Sequence, residues 1–334
     1  MIHSWNQERW AALQRARALP QSLLLAGPRG LGKSEFARTL AKTILCPAHP
    51  PGGLACSDCA SCRLFDAGSH PDFRLVEPSS GEGSGDNADA DAVVTASSRF
   101  IRIRQIRELD DFLELSAHLG GHKVVIIRPA DRLHPSAANA LLKTLEEPPR
   151  HTVFVLVSDN PQRLPPTVRS RCFRLTFAVP EKQAALDWLR RAGIKEEETL
   201  LAQAGNAPLA AADMADGEYW RSRPALLDAL ARPQASVGDV LSSISTDEVG
   251  PFIAHLHRWC YDLVSFRLTG RLRYNPDHAS ALAAIASNMN LFRLLDLMRE
   301  LVSAVRWQEH PLNPRLVIEQ LGIRYYRSLA SQHP

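Results

Sequence analysis

Residues 22–34 of the chain are SLLLAGPRGLGKS, an apolar run followed at once by a glycine-rich turn. Within it, GPRGLGKS at 27–34 matches the pattern G-x-x-x-x-G-K-[ST] at every fixed position. In this pattern the glycines let several backbone N–H groups face one anion, the Lys reaches the β- and γ-phosphates, and the hydroxyl can hold Mg²⁺. The sequence therefore predicts a nucleotide site that contains Gly27, Gly30, Gly32, Lys33 and Ser34.

Around this loop, short apolar runs alternate with helical patterns, which is typical of βαβ units on a parallel sheet. The predicted strands are 22–26, 72–77, 123–127, 152–158 and 172–177, and the predicted helices between them are 33–45, 104–117 and 136–147. From residue 181 onward only helical periodicity remains, over 181–191, 196–204, 220–231, 249–268, 279–305 and 314–328. We therefore expect an α/β domain over 1–178, a small helical domain over 179–215 and an all-helical domain over 216–334.

Composition limits the class of protein. The chain has 334 residues, 45% apolar and 22% charged, which is enough for two or three domains with real cores and excludes disorder throughout. Its apolar runs are far shorter than the ~20 residues that cross a bilayer, and no signal peptide is evident at the start. We expect a cytoplasmic protein with no membrane segment.

Residues 78–98, rich in Gly, Ser, Asp and Ala, predict a mobile surface insertion.

Four of the six cysteines are close together in the sequence, at Cys46, Cys56, Cys59 and Cys62. In a reducing compartment this spacing indicates metal binding rather than disulfide bonds. Four thiolates match a tetrahedral zinc site, with an iron–sulfur cluster as the alternative. We favour zinc because nothing else in the chain suggests redox chemistry. Since all four ligands come from the protein, the zinc would be structural.

The predicted strand 123–127 is not followed by the acidic residues that ATP hydrolysis usually needs. Such a strand ordinarily ends in an Asp that holds Mg²⁺, and a following Glu orients the attacking water. Here the next residues are Arg128, Pro129, Ala130 and Asp131, so the first acid comes three residues late. We expect little ATP turnover by this chain and no ordinary Mg²⁺ site, although Lys33 and Ser34 can still hold ATP or ADP.

A phosphate loop followed closely by a four-cysteine module resembles the clamp-loader branch of the AAA+ ATPases. Four further segments resemble the clamp-loader subunits of bacterial DNA polymerase III: QIREL at 105–109, AHLGGHKVVII at 117–127, AANALLKTLEEPP at 137–149 and LPPTVRSRC at 164–172. The resemblance is dense over 22–177 and only architectural afterwards. It implies an AAA+ P-loop α/β domain with a zinc module inserted at 46–62, a small helical lid and an all-helical C-terminal collar that joins subunits.

The resemblance also implies a function. Members of this family form a heteropentamer in which ATP-driven subunits open a sliding clamp and place it on primed DNA. The expected partners are therefore an ATPase subunit, a delta subunit, the clamp and primed DNA, which is bound without sequence specificity.

The same family resemblance suggests roles for individual residues. The Ser-Arg-Cys motif of the family supplies an arginine finger to the nucleotide site of a neighbour, which here would be Arg171. Ser158 lies where such proteins keep a polar sensor of the γ-phosphate. Pro208 replaces an Arg that contacts nucleotide in active relatives.

Alternatives remain for the function and for two basic segments. We favour a silent subunit that activates ATP hydrolysis in its neighbour. The other readings are a self-sufficient AAA+ ATPase that uses Asp131 or another acid for Mg²⁺, and a zinc-containing DNA-binding module with a vestigial nucleotide site. Arg171 is either the finger or part of an ordinary basic edge. The segment 101–107 either contacts DNA phosphates or pairs with an acidic helix face.

Overall fold

The computed structural model describes residues 2–16, 18–50, 52–79, 100–119, 121–232, 238, 240, 249–304 and 313–329. Residues 80–98 of the predicted insertion lie outside this part. The chain divides into two compact units, Met1–Pro180 and Glu181–Pro334, and each is described by itself. Among the described helices, none has both the length and the apolar character required to span a membrane. The prediction that a further boundary lies near residue 215 stays a prediction.

The first unit is built on a five-stranded parallel sheet with the strand order β2-β3-β4-β1-β5. The strands are β1 Ser22–Ala26, β2 Phe73–Val76, β3 Lys123–Ile127, β4 Thr152–Ser158 and β5 Phe173–Thr176. Every residue of β1, β3 and β4 is buried, as expected for central strands of a parallel sheet. The carboxyl ends of these three strands meet at one edge, which places residues 27, 128 and 159 along it. The α/β prediction is confirmed for this unit.

Six helices accompany the sheet in the described part of the first unit. They are α1 Gln7–Arg15, α2 Lys33–Leu45, α3 Ala60–Asp66, α4 Ile103–Glu114, α5 Pro135–Glu146 and α6 Pro166–Arg169. Helix α2 packs against β1, β3 and β4, while α4 and α5 pack together. Apolar residues of α4 and α5, such as Ile106 and Leu141, share one buried cluster with Phe154 of β4. This packing holds the loops at the strand ends in place.

The second unit contains only helices in its described part, as predicted. They are α7 Lys182–Arg191, α8 Glu197–Gln203, α9 Pro208–Ala215, α10 Glu218–Leu230, α11 Val249–Thr269, α12 Ala279–Asn288, α13 Leu291–Ala304 and α14 Pro314–Leu329. Trp259 and Tyr325 are fully buried in its largest core. The Trp259 indole donates to the Tyr325 hydroxyl at 2.7 Å, and that hydroxyl donates to the Leu230 carbonyl at 2.7 Å. Burial therefore leaves neither polar group without a partner.

One predicted helix was wrong. The sequence predicts a continuous helix over 279–305, but the chain forms α12 and α13 with a break at Met289 and Asn290. Met289 is extended, at φ −72° and ψ 154°. The Asn290 N–H donates to the Ser328 carbonyl at 2.8 Å, and the Asn290 side-chain oxygen accepts from the Arg293 N–H at 3.1 Å. A cap formed by Asn290 thus starts a new helix where the apolar spacing continues.

Candidate functional site

The phosphate loop, residues 27–32, connects β1 to α2 at the carboxyl edge of the sheet. Glycine is required at two of its positions. A Cβ atom on Gly27 would lie 2.3 Å from the Phe177 carbonyl oxygen. Gly32 has φ +83°, and a Cβ there would lie 2.7 Å from the His3 ring. The loop therefore has the tight backbone that the glycine pattern predicts, with a left-handed residue at Gly32.

Residues near the N-terminus cover this loop. The Trp5 indole N–H donates to the Leu31 carbonyl at 3.1 Å, and the Asn6 amide donates to the same oxygen at 2.8 Å. The His3 ring stacks on Trp5 with the centroids 4.7 Å apart, and burial lowers the His3 pKa. Sequence reasoning missed this contact, because a Trp and an Asn ahead of the first helix form no recognisable pattern.

The Lys33 ammonium is bound by oxygens of the chain itself. Its Nζ lies 2.6 Å from the Pro28 carbonyl oxygen and 2.7 Å from Oδ1 of Asp159. The Lys33 side chain is only 2% exposed, whereas that of Asp159 is 41% exposed. A carboxylate therefore lies at the ammonium that the sequence assigns to nucleotide phosphates.

A second carboxylate fixes the end of β4. Oδ1 of Asp131 accepts from the Ser158 hydroxyl at 2.9 Å and from the Asp159 N–H at 3.0 Å. The structure thus brings the predicted residues Lys33 and Ser158 to the same edge, together with two acids whose contacts the sequence did not reveal. The signal for Asp159 was its position directly after a buried strand.

Arg128 follows β3, where an ATPase would carry a Mg²⁺-binding Asp. Its Nε donates to Oε1 of Glu77 at 2.7 Å. The Glu77 backbone carbonyl in turn accepts from the Gln105 amide at 2.6 Å. Arg128 is therefore an ion-pair partner at the strand edge, and a cation held at this position would meet a guanidinium instead of a carboxylate.

Arg171 lies just beyond α6 and has a separate set of contacts. Its Nε donates to Oε1 of Glu146 at 2.6 Å, its Nη2 donates to the same oxygen, and its Nη1 donates to the Thr167 carbonyl at 2.9 Å. The side chain is 31% exposed. Since a guanidinium has five N–H donors, these contacts use three and leave two. An oriented and partly exposed guanidinium is the chemistry that an arginine finger requires.

The four predicted metal ligands lie together, and their Sγ atoms are all within 4.8 Å of one another. Individual Sγ–Sγ distances are 3.5 Å for Cys46 and Cys56, 3.9 Å for Cys46 and Cys59, and 3.9 Å for Cys56 and Cys62. Tetrahedral Zn–S bonds would place the sulfur atoms about 3.8 Å apart. The donor set therefore fits a closed, tetrahedral metal site.

Local electrostatics at the cluster also fit a cation. Backbone N–H groups, chiefly that of Asp58, lower the Cys56 thiol pKa to about 6. Burial raises the Cys62 pKa to about 12, so this thiol needs a positive partner to ionise near neutral pH. A metal ion bound by all four sulfur atoms would supply that charge.

The other two cysteines lie outside this cluster. Cys260 is buried in the second unit, and burial raises its pKa. Cys172 is partly buried in the first unit, and burial raises its pKa to about 11. Raised pKa values keep both thiols protonated at neutral pH, and a protonated thiol is a poor nucleophile.

Comparison with known proteins identifies one family. The family model described as DNA polymerase III, delta subunit, matches residues 5–181. The chain is 39% identical to the DNA polymerase III subunit delta' of Pseudomonas aeruginosa, over 63% of this chain and 60% of that relative. It is 30% identical to the subunit delta' of Escherichia coli K12, over 95% of this chain and 92% of that relative. The Pseudomonas match thus spans less than two thirds of that relative, whereas the E. coli match spans nearly the whole protein.

The family model covers more than half of the chain, and its matched range contains the phosphate loop, the four cysteines and Arg171. A third relative, the subunit delta' of Yersinia pestis, is 32% identical over 84% of this chain and 81% of its own length. We conclude that this chain belongs to the delta-prime family of DNA polymerase III subunits.

Proposed function

We propose that this chain is a clamp-loader subunit of DNA polymerase III that activates ATP hydrolysis in a neighbouring subunit and turns over little ATP itself. The names of its relatives, DNA polymerase III subunit delta', support a place in that complex. The observation that carries the activating role is the geometry of Arg171. Glu146 and Thr167 orient its guanidinium at a partly exposed position, with two N–H donors left for an outside phosphate.

Two features at the carboxyl edge of the sheet support the part of the proposal in which the chain turns over little ATP. Arg128 at the end of β3 is paired with Glu77 and offers no ligand to Mg²⁺. Lys33 is already bound to Asp159 and to the Pro28 carbonyl. ATP or ADP would have to displace Asp159 from Lys33, and a Mg²⁺ ion that accompanied it would lack its usual ligand on β3.

The second unit has a surface suited to assembly. Along α13, the apolar side chains of Phe292, Leu295 and Val302 are 80%, 39% and 61% exposed and recur at helical spacing. His257 and Met298 line the groove beside them. An exposed apolar stripe of this kind is typical of protein interfaces. It supports the proposed collar, in which helices of neighbouring clamp-loader subunits would cover it.

The cysteine module completes the proposal as a structural zinc site. Four sulfur donors leave no position for a water or substrate, so the metal would stabilise the segment 46–62 and take no part in phosphoryl transfer.

The test of the activating role is Arg171→Ala in the reconstituted complex with sliding clamp and primed DNA. Turnover at the nucleotide site that Arg171 serves should fall by ~10³-fold or more, because a trans arginine stabilises charge on the transferring phosphoryl group. Assembly, measured by size-exclusion chromatography, should be unchanged. Arg163→Ala, at an exposed position near the same short helix, is the matched control and should keep the wild-type rate. Full ATPase activity in Arg171→Ala would show that Arg171 is not an arginine finger.

A self-sufficient ATPase is the second candidate, because Asp131 and Asp159 both lie at the edge of the phosphate loop. These two carboxylates would then have to hold Mg²⁺ in place of the missing Asp. The isolated chain, assayed with MgATP and primed DNA, distinguishes the two functions. Turnover of several ATP per second without other subunits would favour this second function and contradict a silent subunit.

A further inference from the structure

The pair of Lys33 and Asp159 differs from an ordinary surface ion pair in its burial. The Lys33 side chain is 2% exposed, so its ammonium depends on protein acceptors for the hydrogen bonds that water would otherwise supply. The Pro28 carbonyl oxygen supplies one acceptor at 2.6 Å and the Asp159 carboxylate supplies the other at 2.7 Å. Charge-assisted hydrogen bonds of this kind are among the strong ones in proteins.

Asp159 is also held in position before any ligand arrives. Its backbone N–H donates to Asp131 at 3.0 Å, and the preceding residue, Ser158, is fully buried at the end of β4 and paired with Ala26 of β1. The backbone that carries the carboxylate is therefore fixed by the sheet itself. On the Asp159 side the pair costs little conformational entropy, because this side chain is short and its backbone is already fixed.

We propose that Asp159 is an internal competitor for nucleotide phosphates, and that it sets the affinity of the phosphate loop by occupying Lys33. A nucleotide must displace the carboxylate to reach the ammonium. The displaced carboxylate then remains close to the phosphates and repels them. Both effects weaken nucleotide binding in a loop whose sequence pattern is otherwise complete. This inference rests on the part of the proposed function in which the chain turns over little ATP, and it deepens that part by naming the residue that weakens nucleotide binding.

The test is the affinity of the isolated, full-length chain for ADP, measured by titration calorimetry both with Mg²⁺ and with EDTA. Asp159→Asn removes the charge and keeps an oxygen near Lys33, while Asp159→Ala removes both. Affinity should rise at least about tenfold in Asp159→Asn and at least as much in Asp159→Ala, since a strong charge-assisted bond no longer has to be broken. The gain should occur with and without Mg²⁺.

Two further variants show whether the gain depends on Lys33. Adding Lys33→Met to Asp159→Asn should abolish the gained ADP affinity, because the released ammonium is then missing. Asp66→Asn is the matched control: Asp66 of α3 pairs at 2.8 Å with Lys42 of α2, the helix that also carries Lys33. The Asp66 side chain is 56% exposed, and losing this pair should leave ADP affinity unchanged. Thermal melting of each variant shows that the first unit remains folded, and the two Asp159 variants provide independent readings if one of them does not fold.

Unchanged or weaker ADP binding in both Asp159 variants overturns the inference. Binding that weakens only when Mg²⁺ is present also overturns it, because Asp159 would then be a metal ligand. Neither result bears on Arg171, whose test measures ATP hydrolysis at the neighbour's site in the assembled complex. The activating role of Arg171 and this inference can therefore fail separately.

Discussion

Lys33 and Arg171 are both basic residues that the sequence assigns to phosphate chemistry. Each is paired with a carboxylate of the same chain, but the two pairs differ in solvent exposure. The Lys33 side chain is 2% exposed and its ammonium lies between Pro28 and Asp159. The Arg171 side chain is 31% exposed, and two of its N–H donors remain after its contacts with Glu146 and Thr167. Asp159 and Pro28 therefore occupy the buried Lys33 ammonium, whereas Glu146 orients the Arg171 guanidinium and leaves donors for another group.

Among the variants that follow, the largest loss of ATP turnover should come from Arg171→Lys, which keeps the positive charge but removes the planar set of N–H donors. In Arg171→Lys a single ammonium cannot contact Glu146 and Thr167 and still present two parallel donors to a phosphate. We expect ATP turnover at the neighbouring site to fall by about 10²-fold or more, within about tenfold of the loss in Arg171→Ala. A steady-state ATPase assay of the complex measures this loss, and near wild-type turnover would show that only charge matters at this position.

Glu146 should have an intermediate effect, through the position of Arg171. Glu146→Ala removes the acceptor of two guanidinium donors, and we expect kcat of the complex to fall about tenfold with little change in KM for ATP. Glu146→Gln retains an oxygen acceptor and should recover most of the rate. If both variants instead speed the reaction, Glu146 restrains the finger and does not position it. Glu147→Ala, at the next residue, serves as the control.

The smallest effect on ATP turnover should come from removing the metal. A strong chelator should release one zinc ion per chain, detectable by atomic absorption, and lower the melting temperature of the first unit because four thiols lose their common partner. We expect complex ATPase to stay within about twofold after zinc removal, since four sulfur ligands leave the metal no position for a substrate or water. A loss of ATPase activity as large as that in Arg171→Ala would show that the cysteine module also affects the nucleotide site of the neighbouring subunit.

Much of the first unit could be predicted from the sequence because its signals are local. The run 22–26, the loop and helix 33–45 were predicted with the bounds that the structure has, since burial, glycine pattern and helix start are all encoded in neighbouring residues. The four cysteines were grouped correctly for the same reason. The role proposed for Arg171 comes only from a resemblance, because a single arginine before a strand carries no signal of its own.

The contacts that the sequence did not reveal join residues far apart along the chain. Asp159 meets Lys33 across 126 positions, and Glu146 meets Arg171 across 25. Asp and Glu are common on surfaces, so no local pattern distinguishes these two from acids without such partners. The break between α12 and α13 was missed for a related reason. The Asn290 cap depends on a carbonyl of the distant Ser328, while the apolar spacing runs on through the break.

Helix α2 is anchored at both ends, so it connects the cysteine cluster to the phosphate loop. Lys33 at its first turn is tied to Asp159, and Cys46, directly after its last residue, belongs to the cysteine cluster. Thirteen residues of α-helix span about 20 Å. A short helix held at each end transmits displacement as a rigid strut rather than by bending. We therefore expect a displacement of the cysteine module to change the position of the phosphate loop. The two sites share no side-chain contact in the described structure.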